Sequence, residues 1–126
     1  MRSDYQPYWN ELKKELVDAG FNGSVVTEDE LISVINLKHG WVLSFECEQY
    51  YAPTFTISIA PVVKDSKIGK GYAVHLLMKV FEGKLQQSKQ LPTIKNQVHF
   101  LEIEHKTLFE NFDFYSESYA KLNFIV

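Results

Sequence analysis

From Trp41 to Ile59 apolar and polar residues alternate with a period of two, and no other feature of the chain restricts its fold as tightly. Trp41, Leu43, Phe45 and Cys47 fall on one side of an extended backbone, and Val42, Ser44, Glu46 and Glu48 on the other. After Gln49-Tyr50-Tyr51-Ala52-Pro53 the pattern resumes, with Phe55, Ile57 and Ile59 set against Thr54, Thr56 and Ser58. A helix would scatter these side chains around its axis, whereas antiparallel strands collect them on one face. Two strands of a meander are therefore expected, with an apolar face and a wet face that becomes acidic toward Glu48. Pro61 cannot donate to a ladder and is expected to end the second strand.

Elements on either side follow from periodicity and punctuation. Pro7 suits the first turn of a helix, Gly20 suits its stop, and Trp9, Leu12, Leu16 and Ala19 between them form one apolar stripe. Residues 28–36 carry two opposed signals. Thr27-Glu28-Asp29-Glu30 has the form of a capping box, while Leu31-Ile32-Ser33-Val34-Ile35 is rich in β-branched residues. The strand is favoured, because Lys38-His39-Gly40 then closes a hairpin onto Trp41. Val62 to Gly71 reads as a polar loop. Val74, Leu77, Met78 and Phe81 recur at helical spacing up to Gly83, against a period-two strand reading of Tyr72 to Val80. From Pro92 a longer helix carries Ile94, Val98, Leu101, His105, Leu108 and Phe112 on one stripe. The expected architecture is a single α+β domain over 1–126. It is an antiparallel three- to four-stranded meander, with an N-terminal helix and C-terminal helices packed on one face. A length of 126 residues with 45% hydrophobic content suffices for one core.

The N-terminus lacks the apolar core of a signal peptide, and no apolar run approaches the ~20 residues that cross a bilayer. Cys47 is the single cysteine, so no disulfide closes within the chain. A cytoplasmic protein without a membrane partner is expected. The net charge of −3 is unevenly spread. Residues 1–63 hold four Lys or Arg against nine Asp or Glu, residues 64–95 seven against two, and residues 96–126 two against five. The basic block is short and has no interleaved aromatics, which argues against direct nucleic-acid binding.

Chemistry-bearing motifs are sparse. No histidine pair has the i, i+4 spacing of a helical zinc site, and Glu102 with His105 makes one Glu-x-x-His where a di-iron bundle needs two. Cys47 sits on the apolar side of its strand between Glu46 and Glu48, a poor setting for a thiolate, and is expected to be largely buried. The paired carboxylates of Glu46 and Glu48 are ordinary for a wet strand face. No catalytic residue, metal or cofactor is assigned. Gly69-Lys70-Gly71 before a helix could cradle a phosphorylated ligand. It resembles the pyrophosphate loop of acetyl-CoA-dependent acetyltransferases, with Ser66 where that family has Arg or Gln. An enzyme or ligand-binding domain built on this loop is one alternative, and an adaptor or structural domain another.

Acids and tyrosines gather twice, as Glu46, Glu48, Tyr50 and Tyr51, and as Asp113, Tyr115, Glu117 and Tyr119 in a tail that also holds Phe114 and Phe124. Tyrosine offers a large rigid contact with a polar tip, and carboxylates complement a basic surface. The stretch from Gly40 to Tyr51 (Gly-Trp-Val-Leu-Ser-Phe-Glu-Cys-Glu-Gln-Tyr-Tyr) resembles small bacterial immunity proteins that accompany polymorphic and contact-dependent growth inhibition toxins. The resemblance implies stoichiometric binding of a cognate toxin domain, often a nuclease, whose basic surface is blocked by an acidic one. The expected partner contacts are Glu46, Glu48, Tyr50, Tyr51, Asp113, Tyr115 and Glu117.

Overall fold

The structure is a computed structural model that describes residues 1–63, 67–82 and 92–125. Helix α1 (Gln6–Asp18) takes Pro7 in its first turn, where a missing N–H costs nothing. It ends in a Schellman closure. Phe21 N–H donates to the Leu16 carbonyl and Gly20 N–H to the Val17 carbonyl, with Gly20 at a φ of 89° that favours glycine. Trp9, Leu12 and Leu16 of the expected stripe are buried.

Strands β1 (Val25–Glu28), β2 (Ile32–Asn36), β3 (Trp41–Cys47) and β4 (Phe55–Val63) follow in an antiparallel meander in chain order. Leu43 stands opposite both Ile35 and Ile59, so the alternation in sequence becomes one continuous apolar face. The capping-box reading of Thr27 to Glu30 does not survive, and a turn follows β1 in which Asp29 N–H donates to the Ile32 carbonyl. A cap stabilises by about 1 kcal/mol. Burying Val34 and Ile35 in a paired strand contributes about 1.5–3 kcal/mol each, and that term wins. The β2–β3 hairpin closes as expected, with His39 and Gly40 both at positive φ and Trp41 N–H donating to the Lys38 carbonyl.

Pro61 does not end β4, which runs on to Val63 with Pro61 opposite Trp41. The reason lies on its outer side. Strands β5 (Lys67–Ile68) and β6 (Tyr72–Ala73) both pair with β4 and form a broken fifth strand, and the break falls beside Pro61. No donor is required of Pro61 there, while its carbonyl accepts from Gly69 N–H at 2.7 Å. A Cβ on Gly69 would stand 3.1 Å from that same carbonyl oxygen, so glycine permits the close approach. The polar loop expected from Val62 to Gly71 is thus largely strand edge and strand break; residues 64–66 lie outside the described residues.

Helices α2 (Val74–Glu82), α3 (Ile94–Glu110) and α4 (Asp113–Ile125) complete the fold. The helical spacing of Val74 and Leu77 prevails over the period-two alternative, leaving Tyr72 and Ala73 as the only strand residues of that segment. The expected stop at Gly83 lies outside the described residues. Thr93 caps α3 by accepting from Asn96 N–H. All four helices cover the Leu43 face. Trp9 stacks on Phe45, Phe109 packs on Trp41, and Tyr72 meets Tyr115 and Tyr119 edge to face. The α+β architecture and its one-sided helical layer are those expected. The opposite face is drier than expected, because Val34, Val42 and Ala60 make a second, smaller buried cluster there.

Cys47 is partly rather than largely buried, packed against the core from the end of β3. Desolvation pushes its thiol up to about 11 from 9.0, with Asp4 adding to the effect. A folded-state value above the unfolded one means stability present below about pH 9 and lost as pH rises through about 11. Cys47→Ala is expected to lower stability by about 1 kcal/mol at neutral pH through lost packing. Its urea midpoint should also fall less steeply than that of the parent chain between those two pH values. Parallel slopes would show that the thiol is not shielded.

Candidate functional site

The β1–β2 turn and the β3–β4 loop lie at the same end of the meander, opposite the His39–Gly40 hairpin. Register alone brings them together, since Cys47 N–H donates to the Leu31 carbonyl and Glu46 stands opposite Ile32. Asp4, Glu28, Asp29, Glu30, Glu46 and Glu48 therefore share one end of the molecule. The Trp9 indole N–H, 2.6 Å away, holds the Glu28 carboxyl below its ordinary value against the effect of burial. Arg2 grips Asp4 through two hydrogen bonds of 2.6 and 2.8 Å and holds that carboxyl low as well. Glu46 and Glu48 are exposed.

The N-terminal residues fasten this end. Arg2 N–H donates to the Glu30 carbonyl in one loop, and Arg2 Nη1 donates to the Gln49 carbonyl in the other at 2.9 Å. The hydroxyl of buried Tyr5 donates to the Glu48 carbonyl, with the Thr54 carbonyl 3.0 Å away. The loop closes on itself through Glu48 N–H to Thr54 O and Thr54 N–H to Tyr51 O, each 2.9 Å. Out of this pinned loop project Tyr50 and Tyr51, 83% and 73% exposed. Ile32, on the open sheet face beside Glu46, is 53% exposed. A loop held at both ends by side chains of another element loses little further freedom on binding, so its exposed aromatics are pre-organised contacts.

The seven expected contact residues do not form one surface. Glu46, Glu48, Tyr50 and Tyr51 lie together at the hairpin end. The start of α3 borders Pro53 to Ile57 at that end, whereas Phe109 near its finish packs on Trp41 and Phe21 at the other. A helix of 17 residues spans about 25 Å, so Asp113 and Glu117 belong to the far end. Tyr115 is no surface contact at all. It is fully buried, its hydroxyl donates to the Leu108 carbonyl, and desolvation pushes its pKa strongly up. Tyr119 is buried as well and accepts from Ala73 N–H at 2.9 Å. These tyrosines sit at helical spacing inside α4, a periodicity that the sequence contained and that their acidic neighbours masked. Asp29 and Glu30 are not among the expected contacts, although the favoured strand over Leu31 to Ile35, once paired with β3, places them here.

The glycine loop has structural work instead. Gly69 N–H is engaged by Pro61, and Ala73 N–H, at the entry to α2, is engaged by Tyr119. Two of the backbone donors flanking Lys70 and Gly71 are thereby occupied. Of the histidines, His39 holds the tight turn, His99 faces Glu102 at 3.8 Å on the helix surface, and His105 Nδ1 lies 2.7 Å from the Glu102 carbonyl. Among the described residues no three of His, Cys, Asp and Glu converge as metal ligands do. No described helix is long and apolar enough to cross a membrane. Comparison with models of protein families, with curated proteins and with solved structures finds no match to this chain.

Proposed function

We propose that this chain is a protein-binding inhibitor of the immunity type, which neutralises a toxin domain by seating its acidic hairpin end on a basic surface of that partner. The observation that carries the reading is the pinned β3–β4 loop, which projects two exposed tyrosines from an end of the sheet bearing six carboxylates. Three cations stand nearby against the six carboxylates: Arg2 engaged with Asp4, Lys13 lying over the Trp9 ring, and the Met1 ammonium 3.6 Å from Glu28. The local field is therefore negative, which attracts a basic partner over distance, while the tyrosines supply contact area once it arrives. The likeness of residues 40–51 to immunity proteins supports a toxin as that partner.

Steering and anchoring separate in kinetics. Reversal of Glu46 and Glu48 to lysine is expected to slow association with the cognate partner about tenfold at low salt, with the difference fading as salt screens the field. The same reversal at Asp113 and Glu117, at the far end, should leave the on-rate nearly unchanged. Surface plasmon resonance across a salt series measures both. Salt-independent association, or an equal loss from the two pairs, would remove the hairpin end as the docking face.

A further inference from the structure

Helix α3 buries Ile94, Gln97, Val98, Leu101 and Leu108 against the rest of the fold, and a second stripe runs along its outer side. Asn96, Phe100, Ile103, Thr107 and Glu110 follow at spacings of four, three, four and three, the repeat that lets two helices lie along one another. All five are exposed or half-buried, and Ile103, at the centre, is 61% exposed. An open groove of about 270 Å³, lined by Met78 of α2 with Phe100 and Ile103, runs beside it. Phe81 lies 5.1 Å from Phe100 and 5.7 Å from Phe114 between ring centroids, so apolar surface continues across the helical layer to Phe114, 62% exposed. Apolar groups in the middle of an outer helix face, with polar ones at both ends, have the make-up of an interface.

We infer that this stripe pairs with the same stripe of a second copy of the chain, the two α3 helices antiparallel about a two-fold axis at Ile103. Around such an axis Ile103 meets Ile103, Phe100 lies against the turn from Ile103 to Thr107 of the other helix, and Asn96 stands opposite Glu110. Charge selects the second copy as the occupant. Lys95, exposed on the flank of the stripe, reaches Glu110 of the other copy, and this ion pair occurs twice, once at each end. A parallel pair would set Glu110 beside Glu110 and Lys95 beside Lys95. A stripe with a cation at one end and a carboxylate at the other finds its complement in itself reversed. From Asn96 to Glu110 it is about 21 Å long and about one helix wide, well under the roughly 800 Å² that each partner gives to a lasting complex. The pair therefore forms reversibly, at high concentration. This inference does not rest on the proposed partner and stands or falls separately.

Sedimentation equilibrium of the full chain from about 20 µM to about 1 mM is the test. The average mass is expected to rise from 14.6 kDa toward twice that value. Ile103→Asp, at an exposed position, should keep the melting temperature and weaken association tenfold or more, since it puts two carboxylates together on the axis. Ile103→Ser repeats the test without a charge. Lys95→Glu and Glu110→Lys should each weaken association about tenfold, because each sets two like-charged pairs in place of two ion pairs. The double variant should return to within about twofold of the parent chain. A chain that stays monomeric at about 1 mM overturns the inference, as does association that the Ile103 variants leave untouched or a double variant that does not recover. A monomer whose Phe100 and Ile103 amides shift with an amphipathic leucine–lysine helical peptide also overturns it, in favour of another protein's helix on the stripe.

Discussion

Trp9→Ala is expected to lower the stability of the fold by about 3–5 kcal/mol, a large part of the 5–15 kcal/mol typical of a domain. Trp9 is fully buried, stacks on Phe45 with ring centroids 5.7 Å apart, and donates its indole N–H to Glu28. Truncation thus removes the plug between α1 and the centre of the sheet and strips Glu28 of its donor together. Trp9→Phe separates the two losses. It keeps most of the ring volume and should cost about 1–2 kcal/mol, because Glu28 is exposed enough for water to replace the indole. Urea denaturation followed by circular dichroism gives both values. If the alanine variant lost less than about 1 kcal/mol, the α1–sheet interface would not be the core that its burial indicates.

The second large effect is on binding. Truncation of Tyr50 or Tyr51 to alanine is expected to cost about 2 kcal/mol of affinity, roughly thirtyfold and mainly in the off-rate. Both rings lie on the surface, so neither change should move stability by more than about 0.5 kcal/mol. That contrast sets them apart from Tyr115. Its conversion to alanine would damage the fold first, because the ring is fully buried and its hydroxyl serves Leu108. Off-rates from surface plasmon resonance, beside melting temperatures of the same variants, decide the matter. Unchanged off-rates for both tyrosine variants would mean that the loop is pinned for some other purpose than anchoring a partner.

Local pattern was enough for much of the fold. The alternation from Trp41 to Ile59, the α1 stripe ending at Gly20, the Lys38–Gly40 hairpin and the spacing from Ile94 to Leu108 each involve neighbours in sequence. Physics at that range is legible because side-chain direction follows directly from backbone type. Within the candidate site, the exposure of Glu46, Glu48, Tyr50 and Tyr51 was legible for the same reason, since they continue the polar face and occupy a turn.

What the tertiary structure alone decided depends on partners far away in the chain. Pro61 stays inside β4 because the strand beside it breaks at Gly69, and the rule that proline ends strands yields to a neighbour that needs no donor. Tyr115 and Tyr119 turn inward because Tyr72 waits there, 43 and 47 positions earlier in sequence. Asp29 and Glu30 join Glu46 and Glu48 through the β2–β3 register, and Tyr5 and Arg2 hold the loop that no local motif announces. Gln97 Oε1 is buried, with no hydrogen-bond donor among the described residues, only once α3 packs into the fold. Periodicity tells each side chain which face of its own element it occupies; which face of another element it meets is set by packing across the whole chain.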